Sequence, residues 1–162
     1  MLRLNKIYIF FGSSSFIAKE LISKLKKEKN VKLYSISRNL NSKYNYQNLG
    51  KLLTVVNKIK VDEIVVFNFA NNTNFLDYKN KFSKINKETF FYSKKIIDFS
   101  NRLLVKQKHI YLSSDRIFGK INKPIYISSK PRPIDPYGIL KARYEKYLIK
   151  NLKIKNIIIV RS

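Results

Sequence analysis

Lys6-Ile7-Tyr8-Ile9-Phe10-Phe11-Gly12-Ser13-Ser14-Ser15-Phe16-Ile17-Ala18 is the stretch that decides the fold. After Lys6 come five consecutive apolar or aromatic residues, a run that suits a parallel strand covered on both faces. Gly12 and the three serines make a turn. Residues 16–29 then read as a helix, with Ile17, Leu21 and Leu25 stacked along its inner face and Ala18 and Ile22 beside them. A strand that turns tightly into a helix presents the helix's unbonded N–H groups and the positive end of its dipole to whatever sits at the turn. That is an anion site, suited to a pyrophosphate. In a Gly-x-x-Gly-x-x-Gly register, Ser15 and Ala18 hold the second and third glycine positions. Alanine keeps the small size that helix–strand packing needs. The Ser15 Cβ intrudes on the path a pyrophosphate would take.

The same alternation runs outward along the chain. Residues 31–36 predict a second strand ending at Ser37-Arg38, and 39–48 a polar loop with room for a short strand near Tyr44. A helix is expected over 49–58, carrying Leu52, Leu53, Val55 and Val56. A third strand over 63–69 breaks at Ala70-Asn71-Asn72-Thr73. A long helix is expected over about 85–104, with Phe90, Ile97 and Leu104 near one stripe, followed by a strand over 109–113. All four prolines fall between Pro124 and Pro136, so 123–135 cannot be regular helix. A helix over 137–152 and a strand over 156–161 close the chain. Strand and helix in turn predict an α/β fold, a doubly wound parallel sheet with helices on both faces. The whole chain, 1–162, reads as a single domain.

Composition narrows the partners. A chain of 162 residues with 44% hydrophobic content suffices for one packed core. It has no cysteine, which removes disulfides and thiolate metal sites, and no metal is expected. No apolar run is long enough to span a bilayer, and the first residues lack a secretory leader pattern, so a cytoplasmic protein that uses no membrane is expected. The net charge of +24 invites a nucleic-acid reading. Yet the lysines are spread over nearly every element. The densest group, Lys24, Lys26, Lys27, Lys29 and Lys32, lies at the outer end of one helix. A solvated basic surface is favoured over nucleic-acid binding.

Candidate chemistry gathers at the strand ends, where open α/β sheets hold their ligands. Tyr137 and Lys141 are four apart on a helix, about 6 Å from one another on one face. An ammonium so placed lowers a phenol's pKa from about 10. Ser113-Ser114 ends the preceding strand, and its hydroxyl would reach the same substrate oxygen. After the second strand, where an acidic residue would take the ribose hydroxyls of NAD, stand Ser37 and Arg38. A guanidinium there suits a 2′-phosphate, so NADP is expected over NAD; the competing reading is an Arg38 facing solvent.

Four segments carry a resemblance: Phe11 to Ala18, Val66-Phe67-Asn68-Phe69-Ala70-Asn71-Asn72-Thr73, Ile110 to Gly119 through Ser113-Ser114-Asp115, and Pro136-Tyr137-Gly138-Ile139-Leu140-Lys141. Together they resemble the extended short-chain dehydrogenase/reductases, the NAD(P)-dependent epimerase/dehydratase family with its Rossmann fold. Within it the chain looks most like the dTDP-4-dehydrorhamnose reductases. The resemblance implies Tyr137 as general acid/base, Lys141 as the group that tunes it and holds the nicotinamide ribose, and Ser114 as the residue that orients the reacting oxygen. It implies Gly12, Ser13, Ser14, Ser15, Phe16 and Ile17 around the pyrophosphate, and Phe69, Ala70 and Asn71 along the adenosine and ribose. Asn86 matches a supporting asparagine, with an N-cap as the competing reading. A nucleotide-sugar substrate is implied, and a homodimer is compatible with the resemblance. The family continues past Ser162 into a substrate-binding part, so this chain is expected to carry the cofactor half. An oxidoreductase or epimerase is the leading reading; a non-catalytic Rossmann module or an inactive fragment is the alternative.

Overall fold

Five parallel strands form one sheet in the computed structural model, which describes residues 4–70, 81–120 and 124–162. The strands are β1 (Leu4–Phe11), β2 (Val31–Ile36), β3 (Val61–Asn68), β4 (Gln107–Ser113) and β5 (Ile157–Arg161). Their order is β2-β1-β3-β4-β5, and every pairing is parallel. The helices are α1 (Phe16–Leu25), α2 (Leu49–Asn57), α3 (Phe82–Asn101) and α4 (Pro136–Asn151), with a 3₁₀ turn at Asp115–Phe118. After β2 the chain crosses to the far side of β1. The carboxyl ends of β1 and β3 therefore flank the switch point of a doubly wound sheet, as the alternation predicts.

The apolar runs of β1 and β3 are buried on both faces. Ile7, Ile9, Phe11, Ile64 and Val66 pack with α2 and α3 through Leu52, Leu53, Val56, Ile96 and Phe99. Tyr8, Phe10, Val65, Phe67 and Phe69 pack on the opposite face under α1, through Ala18, Leu21, Ile22 and Leu25. Tyr144 and Leu148 of α4 cover Tyr111 of β4. On the α1 face the cover stops short: Ile110 and Leu112 are half-buried, and Ile158 and Val160 of β5 are exposed.

Several boundaries and faces differ from expectation. α1 ends at Leu25 rather than at 29, and its inward face is Ala18, Leu21, Ile22 and Leu25. Ile17 is exposed, because the chain enters the helix with Ala18 against the sheet. Val55 of α2 also faces out. α3 lies three residues earlier than 85–104 at both ends. Leu104 leaves the helix because its N–H is taken by Asn57 Oδ1 at 3.2 Å, and its side chain is exposed. The strand expected near Tyr44 is reduced to one parallel bridge, Ser37 to Asn45. There the Asn45 side chain accepts from Gln47 N at 2.9 Å and donates to Leu40 O at 2.9 Å. A side chain that closes local turns displaces the ladder a strand would need.

Candidate active site

A cleft of about 270 Å³ opens at the carboxyl ends of β1, β2 and β3. Gly12 makes it possible. Its φ is +79°, and an added Cβ would sit 2.6 Å from the Phe69 carbonyl carbon and oxygen. Only a residue without a side chain lets the turn after β1 pass so close to the end of β3. Ser15 is the N-cap of α1, its hydroxyl accepting from Ala18 N at 3.3 Å. The serine that replaces a glycine thus folds its side chain back onto the helix and stabilises the helix start. Ser13 turns the other way and donates to Ile36 O at 3.4 Å.

The cleft is lined by Gly12, Ser14 and Ser15 from the first turn, Ser37 and Arg38 after β2, and Phe69 and Ala70 after β3. Ser13, Phe16 and Ile17, expected beside a pyrophosphate, do not line it; Phe16 and Ile17 point to solvent. Asn71 lies outside the described residues. The sequence reading missed the far wall. Tyr46 follows the bridge to Ser37, and Ile85, Glu88, Thr89 and Tyr92 project from α3. The last four are spaced i, i+3, i+4 and i+7, one helical face, but their mixed polarity leaves no hydrophobic period to mark them in the sequence. The Tyr46 and Tyr92 rings meet at a tilt of 55°, with centroids 4.6 Å apart. Asn86 is not an N-cap, since α3 begins at Phe82; its Oδ1 is buried without a hydrogen-bond partner.

Ser114, Tyr137 and Lys141 come together beside this cleft, at the end of β4. Pro136 occupies the first position of α4, where its lacking N–H costs nothing, and Asp135 caps the helix by accepting from Gly138 N at 3.0 Å. Tyr137 therefore stands in the first turn and Lys141 one turn on. The Lys141 Nζ lies 5.5 Å from the Tyr137 ring centroid and 5.1 Å from that of Tyr111. It donates to Leu112 O at 2.8 Å. Ser114, also buried, hydrogen-bonds Tyr137 and donates to Asp115 Oδ1 at 3.2 Å.

The electrostatics correct one expectation. Tyr137 is held above the ordinary phenol value, not below it. Burial is the main cause. The Ser114 hydrogen bond and the Arg116 guanidinium pull the other way, while Asp135 and Asp115 add to the rise. Lys141 does not bring it down, because the Lys141 amine is itself desolvated and directed at the Leu112 carbonyl. Burial lowers Lys141 to about 7, against the opposing pull of the Glu145 carboxylate. The Lys141 amine, lowered to about 7, can exchange a proton around neutral pH, while the Tyr137 phenol stays protonated there.

The fold is shared with known enzymes. dTDP-4-dehydrorhamnose reductase from Bacillus anthracis, solved with NADP, superimposes with a TM-score of 0.75 at 18% identity over 99% of this chain and 54% of that one. UDP-glucuronic acid 4-epimerase from Bacillus cereus, solved with UDP-glucuronic acid and NAD, gives 0.72 at 22% identity over 96% of this chain and 55% of that one. UDP-glucose 4-epimerase from Thermotoga maritima, solved with UDP-glucose, gives 0.71 at 18% identity over 96% and 54%. At such identities the likeness shows the fold, and the chain spans about half the length of these proteins. No curated protein sequence matches it. None of the described helices is long and apolar enough to cross a membrane. The model of the NAD dependent epimerase/dehydratase family matches residues 8–160, nearly the whole chain, and the chain belongs to that family.

Proposed function

We propose that this chain is the cofactor-binding and proton-transferring part of an NAD(P)-dependent oxidoreductase or epimerase acting on a nucleotide sugar, in the manner of the dTDP-4-dehydrorhamnose reductases. One observation carries the reading. Ser114, Tyr137 and Lys141 meet at the end of β4, beside a cleft whose floor is the Gly12 turn and whose β2 side carries Arg38. The residues fit a dinucleotide. The Gly12 turn leaves backbone space that a Cβ would fill, and the first turn of α1 offers N–H groups to a pyrophosphate. Arg38 and Ser37 would hold a 2′-phosphate, and Phe69 and Ala70 would flank the adenosine. When bound, the nicotinamide supplies or accepts the hydride. This chain supplies the proton. Tyr137 gives its phenolic proton to the developing oxyanion; in the reverse direction neutral Lys141 first takes the phenolic proton, and the phenolate then takes one from the substrate hydroxyl. Ser114 donates a hydrogen bond to the same oxygen, and Lys141 replaces the proton that Tyr137 loses. The cell compartment in which this takes place is expected to be the cytoplasm.

The alternative, a cofactor-binding module without turnover, is favoured by the raised Tyr137. Titration of the chain with NADPH and NADH, followed by nicotinamide fluorescence, tests both. Binding of NADPH in preference to NADH is expected. An NADH preference removes Arg38 from its role, and binding of neither overturns the dinucleotide reading. Binding without turnover of a 4-keto nucleotide sugar selects the module.

A further inference from the structure

Arg116 stands two residues after Ser114 and reaches the helix that carries Tyr137 by two routes. Its guanidinium Nε lies 3.3 Å from Asp135 Oδ2. The other carboxylate oxygen, Asp135 Oδ1, caps α4 at Gly138 N. One carboxylate thus grips the 3₁₀ turn with one oxygen and the first turn of α4 with the other. The second route is the backbone. A Cβ added to Gly138 would overlap the Arg116 carbonyl oxygen, so the turn is seated directly on α4 at the residue after Tyr137. The seat is reinforced behind it. Arg132 N donates to Ile117 O at 2.8 Å, and a Cβ at Gly119 would overlap the Arg132 carbonyl. Ser114 itself is tied into the same turn, its Oγ accepting from Arg116 N at 3.3 Å.

We propose that Arg116 is a positioning residue for proton transfer: with Asp135 it clamps the turn that holds Ser114 onto the helix turn that holds Tyr137. The inference rests on the proton-transfer role given above to Ser114 and Tyr137. The clamp has an electrostatic side as well. Among the described residues, the charged groups around the Tyr137 phenol are Arg116 and Asp115 from the turn, Asp135 from the cap and Lys141 from α4, while Tyr137 packs against the apolar Ile85–Leu140 cluster that Phe82 and Phe90 of α3 also join. The guanidinium favours the phenolate, and the two carboxylates oppose it. Holding Arg116 on Asp135 therefore keeps a cation near the phenol and offsets the carboxylate that caps the helix. As a source of stability the pair is minor, since its side chains are 46% and 20% exposed. Its effect should appear at Tyr137.

The test is the titration of Tyr137, followed by NMR of ¹³C-tyrosine-labelled protein and assigned by difference from Tyr137→Phe. Arg116→Ala should move the Tyr137 midpoint upward and weaken the Ser114–Tyr137 NOEs, with little change in thermal unfolding. Arg116→Lys should restore part of the midpoint, through its charge, but less of the NOEs, through its missing fork. Asp135→Asn, which still caps the helix, should shrink the effect of Arg116→Ala when the two are combined, because the clamp is already open. An unmoved midpoint with intact NOEs in folded, NADPH-binding Arg116→Ala overturns the clamp, as does strict additivity of the two changes. Failure of the parent chain to bind either dinucleotide overturns the functional reading instead, and with it the catalytic meaning of the clamp.

Discussion

Lys141 is a cationic side chain sealed under the end of β4, and burial lowers its pKa from 10.5 to about 7. The sign of the consequence follows from linkage. Below pH 7 the residue is charged in both folded and unfolded chains, and the folded state bears the full desolvation cost. As pH rises from about 7 toward 10.5, the folded state has released its proton while the unfolded state still holds one, so stability increases. Lys141→Met removes the titration. The variant should be more stable than the parent by a margin that is widest at pH 6 and narrows by pH 9, with other groups cancelling in the difference. Urea unfolding of the pair at the two pH values measures it, and a margin independent of pH would refute the buried-amine assignment. The positions of Tyr137, Lys141 and Ser114 were legible in the sequence because helical spacing and strand ends are local patterns. Their proton affinities were not. Those depend on burial, and on Lys141 choosing the Leu112 carbonyl over the phenol, which only the folded packing decides.

α4 is tied to β5 by a bidentate ion pair: Arg161 Nε to Glu145 Oε1 at 3.1 Å and Nη2 to Oε2 at 2.9 Å. The guanidinium also lies 5.4 Å from the Phe118 ring centroid, so strand, helix and 3₁₀ turn meet at this residue. Glu145 is 4% exposed, and removing its partner strands a buried carboxylate. Arg161→Ala should cost about 2 kcal/mol, below the usual penalty for breaking a buried pair because Arg161 is partly solvated. Adding Glu145→Gln should recover part of the loss. Thermal unfolding of the single and double variants decides, and a full, additive loss in the double variant would show that the charge is not the issue. At this scale the sequence was legible wherever the pattern was strong. β1, β3 and the α/β alternation follow from runs of apolar residues. What escaped was the phase of the helices. Ile17 and Ala18 are both apolar, and only the turn geometry at Gly12 selects Ala18 for the sheet. The cleft-facing stripe Ile85, Glu88, Thr89 and Tyr92 mixes polar and apolar types, so no hydrophobic period marks it.

Across the whole molecule there are 34 basic residues against 10 acidic ones, and the basic residues are spread along the chain over many elements. Such a field attracts every anion, so the charge by itself chooses no partner. Shape then makes the choice. In the proposed reading, the Gly12 turn and Arg38, which line one cleft, would offer a bounded anion site within that diffuse field. The two contributions respond differently to salt. The diffuse part is screened beyond a Debye length of about 8 Å at physiological ionic strength, and it acts on any dinucleotide in proportion to charge. NADPH carries one more phosphate than NADH, so its affinity should fall more steeply as salt rises from about 50 mM to about 0.5 M. Were Arg38 to contact that phosphate directly, NADPH should still bind more tightly than NADH at the high end, because a close charge-assisted hydrogen bond outlasts screening of the distant field. Arg38→Ala should erase this residual preference while leaving the steeper salt slope of NADPH in place. Isothermal titration of both cofactors across the salt series separates the two. If the preference vanishes at high salt in the parent chain, the net charge alone accounts for it and Arg38 has no part in reading the phosphate.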